Sequence, residues 1–321
     1  MKIKNFILLA LAALALTGCK SLYGKYERPA VKAAGVVRSP LSDTDTLAVT
    51  DTASFGNLPW RSVFTDPQLQ SLIATALENN YDLLNAALNV QAAEAQLKSA
   101  RLAFLPSFAF TPQGTISSWD GNAAVKTYSL PVSASWNIDL FGTLLSAKRS
   151  SQMALIGMKD YQLAARTRLI SNVANLYYTL LMLDKELELI DEMETLAKDT
   201  WETMQLQKEY GRVRSTGVQS AESNYYSVQA QKVGLKRQLR EAENALSLLL
   251  GQAAGTIARG KFDGQSLPTN FSTGIALQML NNRPDVHAAE MSLAQCFYNV
   301  QTARSRFYPT LTLSAQGGYT N

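Results

Sequence analysis

The residue of this chain best suited to a chemical reaction is a cysteine that ends an N-terminal apolar segment. Cys19 follows the tripeptide Leu-Thr-Gly, and Lys2 precedes an apolar run too short to span a bilayer. This pattern resembles a bacterial lipobox, in which the cysteine thiol is acylated and becomes the first residue of the mature protein. Residues 1–18 are therefore predicted to be a signal peptide and Cys19 to carry lipid. The alternative is an ordinary signal peptide with a chance cysteine.

The other residues with reactive side chains lack the neighbours that catalysis needs. His287 is the only histidine, and we interpret it as a solvated or capping side chain near a helix start. Arg101 and Arg304 lie near predicted helix C-termini, where a positive charge favours the helix dipole; contact with lipid headgroups or a neighbouring subunit is the alternative. The sequence contains no phosphate-binding glycine loop, nucleophile elbow or metal-ligand cluster. We predict no catalytic, cofactor or metal site, and no enzyme.

Composition narrows the class of protein further. Of the 321 residues, 46% are hydrophobic and 17% are charged, with a formal net charge of +4. Because no run of Lys and Arg forms a basic stripe, a nucleic-acid partner is not expected. Residues 19–59 are rich in small polar residues without sustained periodicity, which predicts an extended tether behind the lipidated cysteine.

The longest element that the sequence predicts is a helical hairpin over residues 143–251. It contains no proline, and a seam of apolar residues recurs at steps of three and four from Leu169 to Ile190 and again from Val218 to Leu249. The glycines between the two seams predict a tip at which two helices fold back. The predicted tip and docking residues are Tyr210, Gly211, Thr216, Gly217, Val218 and Ser220.

Two shorter helices are predicted in residues 60–106. The first begins with Asp66 as its cap and ends near Glu78. The second runs from Asp82 to Phe104 before Pro106 and has a heptad seam with small residues, which allow close approach of a neighbouring helix.

A β-hairpin is predicted in residues 107–142. One strand covers Ser107 to Ser118, and a clearer one covers Tyr128 to Leu140, where apolar and polar residues alternate strictly. In a soluble sheet the apolar face would cover a core. In a transmembrane barrel it would face lipid, and about ten residues per strand is the appropriate length. The pattern alone leaves both possibilities open.

An internal repeat with an offset of 203 residues relates the first part of the chain to the last. Residues 252–309 resemble the start of a second copy, and residues 310–321 the start of a third strand. The repeat also predicts a heptad seam in the last helix, at Val286, Ala289, Leu293, Cys296, Val300, Ala303 and Phe307. It places Cys296 at the position of Ala93, which predicts a small buried residue. Since the second copy stops early, we expect a fragment of a protein roughly 130 to 150 residues longer.

Residues 280–290 resemble a signature of outer-membrane efflux proteins, the lipoprotein members of the TolC and OprM type that are often called NodT-like. The strand-to-helix segment Trp136 to Gly142 and the region of Tyr26 also resemble that family, whereas Thr143 stands where an arginine is usual. The signature residues are Arg283, Pro284, Asp285, Ala289 and Glu290.

The resemblance implies a mainly helical fold: a homotrimer in which each subunit contributes helical hairpins to a periplasmic α-barrel tunnel and four strands to a twelve-stranded transmembrane β-barrel. It implies anchoring in outer-membrane lipid, a periplasmic adaptor and an inner-membrane transporter as partners, and passive efflux of drugs, metals or similar small molecules. A channel for type I protein secretion is the alternative. A coiled-coil lipoprotein scaffold without a pore is a third hypothesis, which the amphipathic strand disfavours.

Overall fold

The computed structural model describes residues 24–29, 59–265 and 283–321. The predicted signal peptide, Cys19 and most of the predicted tether lie outside the described residues. So do residues 266–282, which include the start of the signature region.

The described residues form six α-helices and four strands, divided between two compact units. One unit includes residues 86–162 and 283–321, and the other includes residues 59–85 and 163–265. The helices are α1 (Trp60–Val63), α2 (Pro67–Asn79), α3 (Tyr81–Leu102), α4 (Thr143–Glu209), α5 (Ser215–Leu249) and α6 (Pro284–Ser305). The strands are β1 (Ser107–Phe110), β2 (Gln113–Ser117), β3 (Val125–Ile138) and β4 (Leu311–Thr320).

The predicted helical hairpin is confirmed as α4 and α5. At 1.5 Å per residue, the 67 residues of α4 extend over about 100 Å. The predicted seams provide much of the core of the second unit, in which α2 and the C-terminal part of α5 pack against α4. The fully buried apolar side chains there are Leu69, Ile73, Val173, Tyr177, Leu180, Leu181, Leu246 and Leu250.

One asparagine and one glycine fix the junction of α2, α3 and α5. The Asn80 side chain accepts a hydrogen bond from the Leu83 N–H and donates one to the Leu249 carbonyl, so it caps the start of α3 and the end of α5. Gly251 follows α5 with a φ of +67°, and a Cβ there would lie 2.6 Å from the Asn79 carbonyl oxygen. The chain therefore needs glycine at this position.

Three strand segments pair antiparallel with β3. β1 and β2 lie along one edge of β3 in a single register, so the predicted strand over Ser107 to Ser118 is one strand interrupted at Thr111 and Pro112, where proline removes a ladder donor. β4 pairs along the other edge, from Ser129↔Thr320 to Ile138↔Leu311. The predicted strand over Tyr128 to Leu140 begins three residues earlier and ends two residues earlier.

Within the single chain, the last helix does not bury the seam that the repeat predicts. α6 buries Ala294, Tyr298, Gln301 and Ser305, a stripe displaced from the predicted one. The predicted seam instead faces outward, and Cys296 is exposed rather than buried. The corresponding positions in α3 behave as predicted, since Ala86, Val90 and Leu97 are buried. A heptad pattern identifies an apolar stripe, but it does not say which neighbour covers it.

Within the described ranges, no helix combines the length and apolarity needed to cross a membrane.

Candidate functional site

The tip of the helical hairpin is built by a glycine that reverses the chain. Gly211 has a φ of +69°, the Arg212 N–H donates to the Gln207 carbonyl at 2.9 Å, and the Gly211 N–H donates to the Lys208 carbonyl at 2.9 Å. These two bonds form a Schellman motif, which ends α4 and satisfies two of its terminal carbonyls. Helix α5 then begins only a few residues later, so the turn is short and held by backbone hydrogen bonds.

Only one of the two predicted break glycines acts as a break. Gly217 lies within the first turn of α5, and its N–H donates to the Arg214 carbonyl. The interpretation of Gly217 as a break in the helix is therefore wrong. Of the other predicted tip residues, Tyr210 is 79% exposed, Thr216 and Ser220 are exposed, and Val218 is buried inside the hairpin.

The sheet places most apolar side chains on one face and most polar side chains on the other, with Lys126, opposite Ile116 on the apolar face, as an exception. Directly opposed pairs on one face are Phe108↔Ala134, Phe110↔Val132, Leu130↔Tyr319 and Trp136↔Leu313. Pairs on the other face are Ser107↔Ser135, Ser133↔Gln316, Ser135↔Ser314 and Asn137↔Thr312. The apolar face is exposed in the single chain, since the large side chains of Phe108, Phe110, Ile116, Val132 and Tyr319 are all at least half exposed. An exposed apolar patch of this extent marks an interaction with lipid or another chain.

The segment 24–29, which begins five residues after Cys19, is docked on α4 and α6. The Tyr26 N–H donates to the Tyr298 hydroxyl at 3.1 Å, and the Tyr26 ring contacts Phe297 edge to face. Arg149 donates to the Gly24 carbonyl at 3.3 Å. These contacts, together with an ion pair of 3.2 Å between Arg28 and Glu290, fix the chain that leads away from the predicted lipid site.

The signature residues are placed at the start of α6. Pro284 opens the helix, and Arg283 and Asp285 form a mutual ion pair of 2.6 Å. Glu290 holds the N-terminal segment, and Ala289 is exposed. His287 has a partner, contrary to the sequence interpretation: its Nδ1 lies 2.6 Å from Asp160 Oδ2 on α4. That carboxylate is distant in sequence, so inspection of the helix start could not find it.

Sequence reasoning also missed a polar cluster around Asp66. Besides capping α2 through the Gln68 N–H, Asp66 accepts hydrogen bonds from the Tyr177 hydroxyl and the Gln265 amide. Burial alone would raise the pKa of Asp66, but these donors outweigh it and hold the pKa below its usual value. Burial, followed by the bond to Asp66, raises the pKa of Tyr177 to about 12. The cluster fastens the chain after α5 to α2 and α4.

A second missed contact fastens the same segment. Arg259 binds Asp184 of α4 through Nε and Nη2, and binds Glu243 of α5 through Nη1 at 2.6 Å. The bond to Asp184, and then that to Glu243, raises the pKa of Arg259 against the opposing effect of burial. The one sequence signal was a carboxylate, Glu243, flanked by apolar seam positions of α5.

The arrangement offers surfaces rather than a reaction centre. No group of three or more His, Cys, Asp or Glu side chains in the part of the chain that the structure describes could hold a metal ion. What the described residues present is an exposed amphipathic sheet, a long hairpin with an exposed tip, and a docked N-terminal segment.

Known proteins are similar to this chain in sequence and in fold. The chain is 30% identical over 313 residues to "Cation efflux system protein CusC" of Escherichia coli, covering 94% of this chain and 66% of the relative. It is 32% identical over 270 residues to "Toluene efflux pump outer membrane protein TtgF" of Pseudomonas putida, covering 81% and 56%. The chain thus spans less than two thirds of the length of these relatives.

Solved structures agree with the fold. A crystal structure of CusC matches with a TM-score of 0.76 at 26% identity, covering 93% of this chain and 67% of that one. The CmeC outer membrane channel of Campylobacter jejuni matches with a TM-score of 0.68 at 23% identity, covering 82% and 62%. The family model described as "Outer membrane efflux protein" matches residues 72–252, more than half of the sequence. The chain therefore belongs to the outer membrane efflux protein family.

Proposed function

We propose that this chain is a subunit of a homotrimeric outer-membrane channel in a tripartite efflux system, through which small molecules or cations leave the cell passively. The observation that carries the proposal is the sheet, whose apolar face is exposed and whose opposite face is polar. In a bilayer, lipid covers the apolar face in place of a protein core, and the polar face can line a water-filled channel.

The edges of the sheet support assembly with further copies. The described strands leave one side of β1 and β2, and one side of β4, without a paired strand. An open edge in lipid leaves backbone groups unpaired at a cost of several kcal/mol each, so such a sheet is stable only when its edges pair. Since β1 and β2 form one interrupted strand, the described residues supply three strands, and a barrel of twelve from three copies would require one further strand from each.

The hairpin suits the periplasmic tunnel of such a channel. Its apolar seams are buried between α4 and α5, while Leu189, Met193, Leu196 and Val233 are at least half exposed along its outer surface. These side chains would pack against neighbouring helices in the tunnel wall. The tip, with Tyr210, Gly211, Thr216, Gly217, Val218 and Ser220, would dock a periplasmic adaptor that an inner-membrane transporter joins.

The docked segment supports lipid anchoring at Cys19. Gly24, whose carbonyl accepts a hydrogen bond from Arg149, follows Cys19 by five positions in the chain. Arg149 lies in the second turn of α4, close after the strand-to-helix connection. The acyl chains would thus enter the membrane next to the sheet. A relative that is 27% identical is named "Probable outer membrane lipoprotein SilC".

The test is accumulation and susceptibility in a strain from which the gene is deleted. We expect the deletion strain to retain more of at least one substrate from a panel of transition-metal cations, toluene and antibiotics, and expect the wild-type gene to restore export. A protein whose secretion depends on the gene, with no change in small-molecule accumulation, would instead favour type I secretion. Unchanged accumulation of every compound and unchanged secretion would refute a channel role.

A further inference from the structure

The tip of the hairpin carries an excess of cations that have no ion-pair partner. Lys208, Arg212 and Arg214 are exposed, and Glu209 is the only carboxylate between positions 203 and 221. Among the described residues, none of these three cations forms an ion pair. The tip therefore presents a net positive surface.

Several other cations of the hairpin form ion pairs, although Lys236 and Arg240 of α5 form none among the described residues. Lys198 pairs with Glu202 and Arg237 with Glu241 along their own helices, and Lys232 pairs with Asp191 and Glu194 across the hairpin. The hydrogen bonds to Asp191 and then to Glu194 raise the pKa of Lys232. The tip cations thus differ from these in having no such neighbour.

The backbone at the tip adds to the positive charge. Helix α5 begins at Ser215 without a side-chain cap from Arg214, so the positive end of its dipole points toward the tip. The Schellman bonds fix the backbone at Arg212, two residues before Arg214. Tyr210 adds a large exposed ring beside them.

We propose that the hairpin tip binds a protein surface that presents clustered carboxylates, namely an acidic end of the periplasmic adaptor. The identification of that protein as an adaptor rests on the proposed function; the acidic chemistry rests on the unpaired cations alone. Arginine side chains bind carboxylates through two parallel hydrogen bonds, which gives orientation as well as attraction. Tyr210 supplies the apolar contact at the centre of this surface.

The probe is a pair of disulfide-stapled helical-hairpin peptides that are identical except at their turn, which carries four Glu in one and four Gln in the other. Binding to the full chain in nanodiscs is measured at 50 and 500 mM NaCl. We expect the Glu peptide to bind at least tenfold more tightly at low salt, and expect the ratio to fall to about twofold at high salt, because salt screens exposed charges.

Two variants of the tip and one control variant locate the binding surface. The triple variant Lys208→Glu, Arg212→Glu, Arg214→Glu should lose the preference for the Glu peptide, as should the milder Arg212→Gln, Arg214→Gln if the triple variant misfolds. The matched control, Lys236→Glu, Arg237→Glu, Arg240→Glu, makes the same charge change on an exposed stretch of α5 and should keep the preference.

Three outcomes would overturn the proposal. They are equal binding of the two peptides, an unchanged preference in the tip variants, and binding of 4:1 phosphatidylcholine–phosphatidylglycerol vesicles by the tip without binding of the Glu peptide. The last outcome would show that the tip cations bind an anionic membrane and not an acidic protein. None of these measurements requires a conducting channel, so failure of efflux and failure of acidic recognition are separate results.

Discussion

At the scale of single residues, Gly251 is a position where the backbone does not accommodate a side chain. A side chain at φ +67° is strained, and its Cβ would lie 2.6 Å from the Asn79 carbonyl oxygen. Since the left-handed conformation alone costs roughly 1–2 kcal/mol, Gly251→Ala should lower the free energy of unfolding by at least about 2 kcal/mol. Chemical denaturation in detergent measures this. The control is Gly234→Ala in α5, where no atom lies within 4 Å and where alanine should stabilise the helix by roughly 0.5–1 kcal/mol.

Titration of Tyr177 should lower the free energy of unfolding at alkaline pH. Its pKa is raised to about 12 in the folded chain, whereas an unfolded tyrosine titrates near 10.0. Between these values the unfolded chain has lost the proton and the folded chain keeps it, so the unfolding free energy falls as pH rises. Tyr177→Phe should be less stable at pH 8, because it loses the bond to Asp66. Its deficit relative to wild type should shrink from pH 10 to pH 12; a constant deficit would show that Tyr177 does not titrate this way.

Cys19 is the predicted site of acylation, and the chain contains its own control. Radiolabelled palmitate should enter wild type and Cys296→Ser equally, and should not enter Cys19→Ser. Because each buried methylene contributes about 0.8 kcal/mol, loss of the acyl chains should weaken membrane retention without abolishing it, since the proposed lipid-facing sheet would also hold the protein in the membrane. Equal labelling of Cys19→Ser and wild type would disprove lipidation at this residue.

At the scale of elements, substitutions on the two faces of β3 distinguish a sheet that faces lipid from a sheet in a soluble protein. Val132 and Ser133 are neighbours on opposite faces of the sheet. In a bilayer, Val132→Lys should destabilise the folded state by about 2–4 kcal/mol near the midplane, whereas Ser133→Lys on the polar face should cost much less. Folding yield into lipid vesicles, read by resistance to heat in SDS, measures the difference. Equal yields for both variants would contradict a lipid-facing apolar side.

The elements also show how far sequence reasoning extends. The heptad seams of α4 and α5 predicted both helices closely, because a long apolar stripe needs only local periodicity. The strand pairing with β4 and the Asp66–Tyr177–Gln265 cluster were not predictable. Their partners lie more than a hundred residues apart, and no local pattern encodes a pairing at that distance. Gly217 was misassigned because glycine permits a break but does not require one.

At the scale of the whole molecule, α3 and α6 have the same length of 22 residues but expose different stripes. The seam that α3 buries against its own chain corresponds in α6 to a seam that is open in the single chain. Phe307, which continues this seam two residues after the helix, is 91% exposed. An apolar stripe of this length in contact with water is costly, so it is expected to be covered when copies assemble. The open seam comprises Ala289, Leu293, Cys296, Val300, Ala303 and Phe307.

The resulting prediction concerns assembly rather than the fold of one copy. Leu293→Glu places a charge in the open seam and should shift the proposed trimer to monomer, because burying an unpaired carboxylate costs several kcal/mol. The neighbouring exposed residue provides the control: Ser292→Glu should leave the trimer intact. Far-UV circular dichroism should show the same helix content in both variants, since neither residue belongs to the stripe that α6 buries in the single chain. Light scattering coupled to size-exclusion chromatography gives the oligomeric state, and a trimeric Leu293→Glu variant would mean that the seam faces solvent or lipid in the assembled channel.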